Sequence, residues 1–77
     1  MIRYFFDVTS DNVLVLDEEG SELDDPQAAR AEAISILSDI AKGLKVHGNS
    51  RTFAVTARNT MGEPLFQATL SLTIAWS

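Results

Sequence analysis

The sequence predicts an α+β fold: a four-stranded, mainly antiparallel sheet with one helix on one face, in the order β-β-α-β-β. Three observations carry this expectation. From Leu65 to Trp76 the chain alternates, with Phe66, Ala68, Leu70, Leu72, Ile74 and Trp76 on one side and Gln67, Thr69, Ser71 and Thr73 on the other. A period of two belongs to a strand with one buried and one wet face. Between the alternating segments lies a single stretch of helical spacing. The third observation is size: 77 residues without cysteine make one domain, 1–77, stabilised by apolar packing alone.

The first strand is read from Ile2, Tyr4, Phe6 and Val8, which alternate with Arg3, Phe5 and Asp7. Thr9-Ser10-Asp11-Asn12 has turn composition, and Val13 to Leu16 is a short apolar run that returns as the second strand. Asp17-Glu18-Glu19-Gly20 is expected to end this part of the sheet, with glycine supplying a positive φ. Asp25-Pro26 starts the helix, because aspartate accepts from orphan amides and proline suits the first helical position. Ala29, Ala33, Ile36, Leu37, Ile40 and Leu44 then form one stripe about 100° wide. Lys42, Lys45 and His47 sit where cations favour a helix end, and Gly48-Asn49 is expected to close it. Gly43 weakens the last turn. Phe53, Val55 and Ala57 mark the third strand. Asn59-Thr60-Met61-Gly62 is a turn, and Pro64 belongs at the entrance of the fourth strand because it lacks an amide donor. The first strand is expected inside the sheet.

Composition narrows the function. Eleven acidic against six basic residues give a formal net charge of −5, which disfavours nucleic acid and anionic lipid. No apolar run approaches the ~20 residues of a membrane span, and Met1 to Asp7 does not look like a signal peptide, so the expected location is cytoplasmic. The acidic cluster Asp17, Glu18, Glu19, Glu22, Asp24 and Asp25 fails as an EF-hand. Aligning Gly20 with the loop glycine puts Val15 at the first ligand and Pro26 at the bidentate position. The bland explanation is a solvated loop before a helix N-terminus. His47 beside Ser50 has no nucleophile elbow around it. No catalytic, cofactor-binding or metal residue is assigned, and no cofactor is expected.

What remains is a covering problem. Four strands put the outer axes about 14 Å apart, whereas a helix is roughly 10–12 Å across. One helix leaves part of the apolar face for a second protein surface. Ile34 lies on the shoulder of the helical stripe, and Phe5 is an aromatic on the otherwise polar face with Thr56 and Thr69. Trp76 shares parity with Ile74 and Leu72, which reads as the end of the core stripe more readily than as a stacking platform. The candidate interaction surface is therefore Phe5, Ile34, Thr56, Thr69 and Trp76. A homodimer or another protein partner is expected, without nucleic acid or membrane.

Several segments resemble a bacterial family of small uncharacterised domains: Arg3-Tyr4-Phe5-Phe6-Asp7, Asp17-Glu18-Glu19-Gly20 with Glu22-Leu23, Ala28-Ala29-Arg30-Ala31-Glu32-Ala33, and Met61-Gly62-Glu63-Pro64-Leu65. In that family an R-Y-F-F start, a D-E-x-G turn and an A-R-x-E-A helix recur. The resemblance implies a class and a bacterial origin but no catalytic residue. A looser resemblance is to HicB-like antitoxin domains, from whose usual order Asp24-Asp25-Pro26 departs. It implies, as the alternative function, an antitoxin-like regulator that holds a toxin protein.

Overall fold

A computed structural model of the chain describes residues 1–43 and 50–76. It is an α+β domain whose sheet has five strands, all paired antiparallel. Strand β1 (Ile2–Ser10) lies inside the sheet, the position expected for it. On one side Phe5–Ser10 pairs with β4 (Ser50–Arg58), which in turn pairs with β5 (Pro64–Thr73). The other side of β1 is divided. Strand β2 (Val13–Val15) pairs with Val8–Ser10, and β3 (Ser21–Leu23) pairs with Ile2–Tyr4.

The fifth strand corrects the expected count of four. Ser21-Glu22-Leu23 is too short to show a period, and the acidic residues around it resemble a loop. Gly20 does not end the sheet. At φ 75° it turns the chain back onto β1, so close that a Cβ there would stand 3.0 Å from the Tyr4 carbonyl oxygen and from Phe5 Cε1.

Helix α1 (Pro26–Lys42) lies across one sheet face. Its N-terminus is built as the sequence predicts: the Asp25 carboxylate accepts from the Ala28 N–H at 2.8 Å, and Pro26 follows in the first turn. It ends earlier than expected, at Lys42, with Gly43 as the cap and its N–H donating to the Asp39 carbonyl. Glycine at this position is a natural stop. Leu44, Lys45, His47, Gly48 and Asn49, to which readings were attached above, lie outside the described residues.

The core is the helix-facing side of the sheet. Tyr4, Phe6, Phe53, Val55 and Ala57 meet Ala29, Ala33 and Leu37, with Val8, Leu23, Ile36, Ile40, Phe66, Ala68 and Leu70 packed around them. Ala29 and Ala33 are fully buried, and their small side chains let the helix approach β4 closely. The apolar faces predicted for β1, β4 and β5 are thus the observed ones, except at their ends. Ile2 is exposed, and Trp76 is 85% exposed rather than the end of the core. The reason is length. Seventeen helical residues span about 25 Å, whereas ten residues of β5 span about 34 Å, so the strand outruns its cover.

Asn59 Oδ1 accepts from the N–H groups of Met61 and Glu63, at 3.0 and 2.9 Å, and holds the β4–β5 turn. A bulge follows, since Ala57 pairs with Phe66 but Arg58 with Pro64, which turns Leu65 outward. Among the described residues no helix is long and apolar enough to cross a membrane.

The two positive-φ glycines separate backbone strain from crowding. Gly62 also has a positive φ, 81°, but nothing lies within 4 Å of the Cβ it lacks. Gly62→Ala should cost about 1 kcal/mol, from backbone strain alone. Gly20→Ala should cost roughly 1–3 kcal/mol more, because the Tyr4 carbonyl is backbone and cannot step aside. Urea unfolding of both variants checks this; equal losses would show that the contact at Gly20 is unimportant.

Candidate functional site

The sheet face away from the helix carries a polar cluster that ties the loop after β2 to β1 and β4. Asp7 is 7% exposed although its strand face has no helix over it. Its Oδ2 accepts from Arg58 Nε at 2.6 Å, and its Oδ1 accepts from the Asp17 N–H at 3.0 Å. The Asp17 carboxylate in turn accepts from three backbone N–H groups, those of Phe6, Glu19 and Gly20. Arg58 Nη2 donates to the Asp17 carbonyl, and its guanidinium lies 4.8 Å from the centre of the Phe5 ring. Both carboxylates and the guanidinium have partners here, so the cluster can sit partly dry.

Burial pushes both carboxyls towards neutrality, but their hydrogen bonds prevail. Asp7 is held below the usual carboxylate range by the Arg58 hydrogen bond, the Asp17 N–H and the Arg58 charge. Asp17 is held low by the N–H groups of Gly20, Phe6 and Glu19 and by Arg58. Arg58 is raised by its hydrogen bond to Asp7. A general acid at neutral pH needs the opposite shift. These groups hold the fold together.

Two other places expose apolar surface. The first is a groove between α1 and β5. Pro26, Gln27, Arg30, Ile34, Phe66, Gln67 and Ala68 line one part of it, a cavity of about 410 Å³. Leu37, Ser38, Ala41, Thr69 and Leu70 continue it beyond Ile34. Among the described residues no carboxylate lines either part. Strand β5 is an edge of the sheet, and none of its ten residues is charged.

The second lies at the opposite edge. Val13, Leu14, Val15 and Leu16 are each between 57% and 62% exposed. Beside them a cleft of about 500 Å³ is floored by Phe6, Val8 and Ile36 and bordered by Asp17, Glu18, Glu19 and Glu32. At the far end of this edge Arg51 leans on Phe53, donates to Ser10 Oγ and places Nε 2.9 Å from Asp11 Oδ2, a charge contact without hydrogen-bond geometry.

The candidate residues read from the sequence divide among these places. Ile34, 51% exposed, stands in the α1–β5 groove, where Thr69 joins it. Phe5 and Thr56 lie on the open sheet face, Phe5 half-buried against Arg58 and Thr56 accepting from Gln67 Nε2 at 3.2 Å. Trp76 stands alone beyond the end of β5. Sequence reasoning missed the exposed run Val13–Leu16, although its signal was present. Four apolar residues in a row on a strand cannot all face one core.

The sequence matches the family model described as a domain of unknown function, DUF6894, over residues 3–71. The chain belongs to this family. The DUF6894 match spans β1 to Ser71 in β5, and so includes the polar cluster and both apolar surfaces. No curated protein and no solved structure matches the chain.

The polar cluster makes a pH prediction. Folding lowers both aspartate pKa values below the unfolded value of about 3.9, so it favours the charged forms. That stabilisation is present above the unfolded value and is lost as pH falls through the lower folded values. The melting temperature should therefore fall steeply below about pH 4. Asp7→Asn should cost roughly 1–3 kcal/mol at neutral pH, because Arg58 loses a charged hydrogen bond, and should flatten the acid limb. Thermal melts across pH test it; an unchanged acid limb in Asp7→Asn would contradict it.

Proposed function

We propose that this domain is a small non-catalytic protein-interaction module that forms a homodimer through the free edge of β5 and the groove beside it. One observation carries the reading: an edge strand of ten residues without a single charge, its apolar side chains only partly covered by the helix. Such an edge invites pairing, and chains that stay monomeric protect it with charges, proline or bulges. Here Pro64 and the bulge at Leu65 protect only its first turn-proximal residues.

A twofold axis perpendicular to the sheet would set two β5 strands antiparallel and extend the sheet across both copies. Both helices would then flank one seam, with the two Ile34 side chains facing it, as an isologous contact requires. The absence of carboxylates from this groove lets two chains of charge −5 approach there. The non-catalytic part of the reading is supported by Asp7, Asp17 and Arg58, which hydrogen-bond to one another and to the backbone. A chain without cysteine suits a cytoplasmic setting. No observation in the structure favours the antitoxin-like alternative.

Light scattering after size exclusion should give twice the chain mass. Ile34→Glu should shift it to the monomer with little loss of fold stability, within about 0.5 kcal/mol, because Ile34 is a surface residue. A strict monomer at high micromolar concentration would sink the homodimer.

A further inference from the structure

We infer that the opposite edge, β2 with the cleft beside it, is a docking site for an extended segment of a different protein that alternates apolar and basic residues. The outer side of β2 pairs with no strand among the described residues, so its backbone groups are free to add another strand. Its side chains provide grip. Val13 to Leu16 are exposed without any role in the core, and Val15 and Leu16 open onto the apolar floor made by Phe6, Val8 and Ile36. A strand added here projects every second residue towards that floor.

Charge decides the occupant. Glu18, Glu19 and Glu32 stand on the rim with Asp17 behind them, and among the described residues no basic residue lines the cleft and the three glutamates form no ion pair. A second copy of this chain would bring net charge −5 to an acidic rim, so self-pairing is disfavoured at this edge, in contrast to the α1–β5 groove. A segment with lysine or arginine at alternate positions satisfies the rim while its apolar positions fill the cleft. This site lies across the sheet from the proposed dimer contact, so either can fail while the other stands.

The test is a titration of the full chain, followed by amide NMR, with three hexapeptides: Lys-Val, Lys-Ser and Glu-Val repeats. The Lys-Val peptide should move the amides of Val13–Leu16 together with Phe6, Val8 and Ile36. The Lys-Ser peptide, with equal charge but no apolar face, and the Glu-Val peptide should each bind at least about fivefold more weakly. Replacing Glu18, Glu19 and Glu32 together by glutamine should weaken Lys-Val binding at least about fivefold and reduce its salt sensitivity. Leu16→Ser should weaken it while the rim charges remain. Equal binding of the Lys-Val and Lys-Ser peptides would overturn the proposal, as would shifts confined to β5. Loss of a dimer in the triple glutamine variant would place a second copy in the cleft and overturn it too.

Discussion

The fold turns on a carboxylate that stands where a strand would otherwise be. Strands β2 and β3 cover the two ends of one side of β1 and leave its middle without a partner. Asp17 fills the gap: its side chain accepts from the Phe6 N–H at 3.1 Å, as a neighbouring strand's carbonyl would. A carboxylate in that place brings a charge into a half-buried position, and the surroundings are arranged to hold it. Gly20 and Glu19 supply two more N–H donors, which requires the tight positive-φ turn that only glycine makes without strain. From β4, Arg58 donates to Asp7 in β1 and to the Asp17 carbonyl in the loop after β2, so one guanidinium ties both to its own strand. Removing any member would leave another charged or polar group unpaired, and that loss exceeds the value of the bond itself.

The same device makes the two sheet edges different. With the Asp17 loop inserted, the β2 side can offer only short strands, and its loop carries Glu18 and Glu19 out beside the apolar cleft. The β5 side has no interruption after Leu65 and no charge. The single helix sits over the centre, packing on β4 and, less extensively, on β5. Apolar surface is therefore left at both flanks, with acidic residues around one and, among the described residues, no carboxylate lining the other. The chain is also elongated, with principal extents of 49 × 21 × 18 Å.

Most of the framework was legible because it rests on periodicity. The even face of β1, the stripe from Ala29 to Ile40, the start at Asp25-Pro26 and the strand after Pro64 all follow from local spacing. The polar cluster was not legible. Asp7 and Arg58 are 51 residues apart, and on the polar face of an alternating strand each reads as solvated. Phe5 was its visible trace, an aromatic out of pattern whose partner, Arg58, sits directly opposite in the β1–β4 register. Strand β3 was hidden by its length. Trp76 shows the limit of parity: alternation tells which way a side chain faces, and the length of the covering helix decides whether anything meets it.

Edge strands must either be closed off or used, and the two edges here meet that constraint by different means. Strand β2 is three residues long, with Asp11 before it and Glu18 and Glu19 after it, which guards against pairing with another acidic copy. Yet guarding an edge by charge works only against a partner of the same sign. The exposed Val13–Leu16 side chains would be a liability in a chain that needed only to stay apart from its own kind, since polar residues there would serve better. On β5 the reasoning reverses. Thr69, Ser71 and Thr73 keep the outer face wettable while leaving the edge without repulsion, so the backbone is free to pair with a like strand. Apolar residues under an acidic rim on one edge, and a charge-free strand on the other, give the domain two chemically unlike flanks rather than one uniform apolar face.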